Sequence, residues 1–199
     1  MSAFKVEFRV FVRGEWPLGE ELLRKDEQLV FNYLRNLQLN ADDLRGGFFL
    51  EVEGQPYIGA ESIGEARLSL SWLRAVREVL GGAGSAVASP RPDHEIRLRR
   101  AGGNLEIEAA RLDSQSAASA PPPRAAVPLL SFAEDLLRES KVFSRYVLTL
   151  MNEIKDRRSQ VAMDRETNDR LGFIEDYFEL PVAREVAALK DQLAKAGKS

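Results

Sequence analysis

The apolar residues of this chain follow a mixed pattern before residue 112, partly of period two and partly helical, and a helical one after residue 127, and that change points to an α+β protein. A mostly antiparallel sheet with one or two helices is expected over residues 1–112. An Ala/Ser/Pro-rich linker follows over 113–126, and then a helical region over 127–199 that either packs back on the sheet or forms an interaction module. Two low-complexity stretches punctuate the chain. Residues 81–86 run into Ser89-Pro90-Arg91-Pro92, and residues 114–123 end in Pro121-Pro122-Pro123. Small and polar residues bury too little apolar surface to offset ordering entropy, so both are expected to be exposed and mobile.

The elements read in order as follows. Phe4, Val6, Phe8, Val10 and Val12 alternate with Lys5, Glu7 and Arg9, the mark of a half-buried strand, and Gly14 and Pro17 end it. A helical pattern centred on 29–37 puts Val30, Leu34 and Leu37 on one face. Phe48, Leu50 and Val52 read as a second strand and Tyr57-Ile58 as a short third. Ser62-Ile63-Gly64-Glu65 has the form of a capping box, opening a helix that carries Ala66, Leu73, Val76 and Leu80 inward. Its start is ambiguous, because Leu68, Leu70 and Trp72 also alternate.

A hairpin is the most sharply specified element. Ile96 and Leu98 alternate with charged residues, as do Leu105 and Ile107, and Gly102-Gly103 lies between them, a pair suited to a two-residue primed turn. Closing the turn there sets Leu98 opposite Ile107 on one face, and Arg99 opposite Glu106 and Arg97 opposite Glu108 on the other. Turn chemistry, apolar register and charge register agree.

After the second linker no strand signal is visible. Ser131-Phe132-Ala133-Glu134 reads as another capping box, and Phe132, Leu136, Phe143, Val147, Leu150 and Ile154 recur at helical spacing to about Arg158. A second helical segment carries Leu171, Ile174 and Phe178. Pro181 breaks it or opens a third, in which Val182, Val186, Leu189 and Leu193 follow a 4-3-4 spacing.

Composition excludes much chemistry. Among 199 residues there is no cysteine and one histidine, His94, so thiolate catalysis, disulfides, cysteine-ligated zinc and any two-imidazole site are ruled out. With 28 basic and 31 acidic residues the net charge is −3, which argues against a generic phosphate-binding surface. The densest basic groups are Arg97, Arg99 and Arg100 on the strands and Lys155, Arg157 and Arg158 at a helix end, and neither half of the chain is basic, so nucleic acid is not the expected partner. No signal-peptide pattern and no apolar run of membrane-spanning length are seen, so a soluble, cytoplasmic protein with no membrane partner is expected. The excess of arginine over lysine and the alanine-rich linker suggest GC-rich coding and a bacterial source.

No phosphate-loop, dinucleotide, zinc-protease or serine-hydrolase motif occurs, and no cofactor, catalytic residue or metal ligand is assigned. The glycine run at 81–84 follows a helix pattern and reads as a helix C-cap. His94 reads as an exposed residue at a strand start, with Asp93 and Glu95 poorly placed to orient it because neighbouring side chains on a strand point to opposite faces. Glu51, Glu53, Glu106 and Glu108 would share one solvent face if their strands lay in one sheet, where a hard cation could be held by oxygen ligands. Asp42-Asp43 lacks the ligand spacing of a calcium loop.

The remaining functional signal is apolar. Phe173, Tyr177 and Phe178, and the seam Val182, Val186, Leu189 and Leu193, form the candidate partner-binding residues. The seam is too short to hold a dimer alone, so it docks on the long helix or in a partner's groove. The reading is a non-catalytic protein–protein interaction protein, with a protein partner or a second copy; immunity factors, adaptors and secretion chaperones are concrete forms of it. The alternatives are a carboxylate- or metal-dependent enzyme and a nucleic-acid-associated subunit.

Overall fold

The computed structural model describes residues 4–11, 18, 45–59, 63–64, 66–111, 124–160 and 180–197. The expected helix at 29–37, the spacer 114–123 and the segment holding Leu171, Phe173, Ile174, Tyr177 and Phe178 lie outside the described residues.

The fold is α+β. Strands β1 (Phe4–Val10), β2 (Gly46–Val52) and β3 (Gln55–Ile58) make a three-stranded antiparallel sheet in the order β1-β2-β3. A 3-10 turn (Ala66–Ser69) leads into helix α1 (Leu70–Leu80). Strands β4 (Ser85–Arg91), β5 (His94–Ala101), β6 (Asn104–Arg111) and β7 (Arg124–Pro128) form a second antiparallel sheet in sequential order. Helices α2 (Leu129–Gln160) and α3 (Leu180–Ala196) follow. No described helix is long and apolar enough to cross a membrane.

The predicted hairpin forms in the predicted register: Leu98 faces Ile107, Arg99 faces Glu106 and Arg97 faces Glu108. Gly102 takes φ 63°, a value that costs glycine nothing and other residues a clash. Gly47 answers a different need. A Cβ there would lie 2.9 Å from two carbons of Ile63, so β2 approaches the chain leading into α1 only because that position is bare.

Four expectations are corrected. First, residues 85–91 are not a mobile linker but strand β4, with Ala86, Ala88 and Pro90 turned inward and Ser85, Val87 and Ser89 outward. Alternation is present, but the inward residues are so small that it does not register as apolar; their size is what lets α1 pack closely on this strand. Second, a strand does follow the second linker. β7 pairs with β6 from Asn104↔Pro128 to Glu108↔Arg124, and its five residues include only one large apolar side chain, Val127. Third, neither described helix starts where a capping box would open it, and Ser62 and Glu65 of the first box lie outside the described residues. Helix α1 begins at Leu70 after the 3-10 turn, and α2 begins at Leu129, whose N–H donates to Gly103 O at 3.0 Å, so Ser131 is already inside the helix. Fourth, Glu53 sits in the β2–β3 turn at φ 53°, not on a strand face.

The helices pack back on the sheets. One apolar cluster runs from Phe4 in β1 to Leu189 in α3. Phe8 meets Phe143 of α2 with ring centroids 4.7 Å apart, and Phe4 meets Phe132 at 5.8 Å. Trp72 of α1 lies 6.0 Å from the same Phe132, so β1, α1 and α2 share one aromatic centre. Pro181 opens α3 as its second residue, where a missing N–H is harmless.

Candidate functional site

The seam predicted on α3 is committed within the molecule. Val182 and Leu189 are fully buried and Val186 and Leu193 half-buried, against α1 and α2 of the same chain. The long helix α2 takes part of this contact, and α1 takes the rest. On the same stripe sits Glu185, which the 4-3-4 spacing of apolar residues does not include. Arg74 Nε donates to its Oε1 at 2.8 Å, and Arg77 Nη1 lies 3.0 Å from Oε2, so two arginines one turn apart on α1 clamp α3 in place. A carboxylate inside a run of apolar positions was the sequence signal for this contact.

His94 is also placed differently from the expectation. It is buried, and its Nδ1 lies 3.0 Å from Asp93 Oδ1. Residues 94, 96 and 98 share a strand face, so the histidine turns inward with Ile96 and Leu98. Asp93 belongs to the turn, which frees its carboxylate to fold over the ring. Arg91 Nε closes on the same oxygen at 2.7 Å. The hydrogen bond from His94 holds the Asp93 carboxyl below its ordinary range, with Arg91 adding to the effect. The cluster locks the β4–β5 turn.

The four carboxylates proposed to share a face do not. Glu51 belongs to the three-stranded sheet and Glu106 and Glu108 to the four-stranded one. No group of three or more potential ligands suited to a metal ion occurs among the described residues.

The outer face of the four-stranded sheet is the candidate site. Its apolar face is taken by α1, α2 and the rest of the core, and the alternation of four strands then brings charge to the other side. Register arranges that charge in rows: Ser85–Arg99–Glu106–Ala126 and Val87–Arg97–Glu108–Arg124. Arg99 Nη2 lies 2.6 Å from Glu106 Oε2, Arg124 Nε 2.8 Å from Glu108 Oε2, and Arg97 Nη1 3.7 Å from Glu108 Oε1. These side chains line a depression of about 630 Å³ that reaches Ala125 and Ala126 of β7.

The two signs are not equally presented. The side chains of Arg124, Arg99 and Arg97 are 75, 69 and 56% exposed, whereas those of Glu106 and Glu108 are 41 and 21% exposed. The carboxylates lie low and orient the guanidiniums, which stand above them with donors still facing water. Such forks match carboxylate or phosphate groups in a plane. Arg124 was not among the basic residues singled out from the sequence, because β7 was not foreseen.

The two sheets are tied together at β6. Tyr57 of β3 donates its hydroxyl hydrogen to Ile107 O of β6 at 2.7 Å, and burial pushes its pKa up to about 12.

No protein-family model, curated protein or solved structure matches this chain.

Proposed function

We propose that this is a non-catalytic protein-binding protein that engages an acidic partner through the outer face of its four-stranded sheet. The observation that carries the reading is the arginine layer: Arg97, Arg99 and Arg124 project above the carboxylates they pair with, around one depression. A net charge of −3 over the whole chain makes that layer a local exception, which favours a specific contact over a general grip on polyanions.

The test compares the wild type with Arg97→Glu/Arg99→Glu in quantitative affinity purification across a salt series. One protein retained in stoichiometric amount by the wild type, lost from the variant and released by moderate salt, would support the reading. Equal retention by both proteins, with the variant folded by circular dichroism, would sink it. Retention of nucleic acid instead of protein would favour a nucleic-acid-associated subunit.

A further inference from the structure

The strand edges of the molecule are treated unequally. At the outer edge of β1, Phe8 N–H donates to Glu139 Oε2 of α2 at 3.0 Å, and Arg9 bridges to Leu18. At the outer edge of β4, Ser89 N–H donates to Ser71 Oγ of α1 at 3.0 Å and Pro90 O accepts from Gly64 N–H at 3.2 Å. Strand β3 has four residues, one of them Pro56. These are the devices by which edges are kept from recruiting further strands.

Strand β7 is different. An antiparallel ladder alternates residues that bond inward with residues that bond outward. Leu129 N–H bonds to Gly103 O, so counting back two at a time turns Val127 and Ala125 toward β6 and leaves the N–H and C=O of Ala126 and Arg124 pointing away from the sheet. Those groups have no partner among the described residues. Strand β7 also borders the arginine-lined depression, through Arg124, Ala125 and Ala126, whereas β4 reaches it only at Ser85.

We infer that β7 is a docking edge for an extended acidic segment of a partner protein, which adds as a further strand to the four-stranded sheet; this rests on the protein-binding reading above and names the kind of partner it takes. The partner's backbone would bond Ala126 and Arg124. A residue set opposite Arg124 lies within cross-strand reach of the most exposed guanidinium on the face, which selects Asp or Glu there. A residue opposite Ala126 meets only a methyl group and has room to extend over the depression, which suits a larger apolar side chain. A second copy fits less well. Its β7 offers Pro128 without an N–H, and its own outermost groups on this face are again arginines.

The probe is a synthetic peptide of alternating valine and glutamate at millimolar concentration, read by amide chemical shifts and hydrogen exchange of the full chain. The expected result is saturable shifts and slowed exchange at Arg124 and Ala126. Ala126→Pro removes only an outward N–H and leaves the ladder to β6 intact, so it should abolish the response while the hairpin signals stay in place. Arg124→Glu should weaken it, and a valine–lysine peptide should give none. No response of Arg124 and Ala126 to the acidic peptide, or a response that survives Ala126→Pro, overturns the inference. So does slowed exchange at Ala126 that depends on protein concentration without peptide, which would mean self-pairing. An oligothymidine that reproduces the response in Ala126→Pro would also overturn it, in favour of phosphate binding. If Ala126→Pro still retains a partner that Arg97→Glu/Arg99→Glu loses, the protein-binding face stands and strand addition alone fails.

Discussion

Leu98 and Arg99 are neighbours on β5, and the pleat sends one into the core and the other into water. Leu98→Ala should cost about 2–5 kcal/mol, because a fully buried leucine leaves both lost transfer energy and a cavity. Arg99→Glu should cost under about 1 kcal/mol, since the exposed pair with Glu106 is weakened by solvent and salt. Urea titration of the two variants checks the contrast, and equal losses would contradict the assigned faces. Tyr57 gives a prediction in pH. Its folded pKa of about 12 stands above the ordinary 10.0, so the folded state keeps the phenol neutral where the unfolded chain has begun to ionise. That contribution is complete below pH 10 and is lost as pH rises through 12. Tyr57→Phe should lose about 1 kcal/mol at neutral pH, for the hydrogen bond to Ile107 O, and should show less alkaline destabilisation than the wild type. Denaturant midpoints from pH 7 to 11 measure this. The hairpin register was readable at this scale because each residue's face follows from parity. His94 obeyed the same parity, and its burial was missed because it was weighed against its neighbours in sequence, not against Ile96 and Leu98.

Among the elements, α3 is where apolar and polar contacts can be compared directly. Leu189→Ala should cost about 2–5 kcal/mol, as for any leucine packed on all sides. Glu185→Gln should cost about 1.5–3 kcal/mol, the range for a charged hydrogen bond, and less than removal of a partner from a wholly buried pair because Arg74 remains half in water. Rising salt should narrow the Glu185→Gln difference and leave the Leu189→Ala difference unchanged. Chemical denaturation at low and high sodium chloride separates the two. The 4-3-4 spacing of α3 was legible in the sequence; that it is satisfied by α1 and α2 was not, since periodicity names a buried stripe but not the surface that buries it. Strands β4 and β7 escaped for another reason. Alanine, serine and proline carry little strand signal of their own, and these two strands exist because β5 and β6 supply a ladder to pair with.

For the molecule as a whole, the continuous core makes the parts on either side of residues 112–123 interdependent. β7 and α2 lie after that stretch, yet they complete the second sheet and cover β1. A protease cut between residues 114 and 123 should therefore leave two fragments that elute together under native conditions and separate in denaturant. Size-exclusion chromatography after limited proteolysis decides it, and separation without denaturant would mean that the parts are independent. The α+β class, the register of the central hairpin and the apolar stripe of α3 were present in the order of the residues, because period, turn chemistry and charge pairing act between near neighbours. The separation of Glu51 from Glu106 and Glu108, the clamp of Glu185 by Arg74 and Arg77, and the place of β7 at the end of the strand order among the described residues were decided only by tertiary structure. Each depends on which distant segment arrives alongside, and that choice is made by burial of the shared core, a term that no local pattern contains.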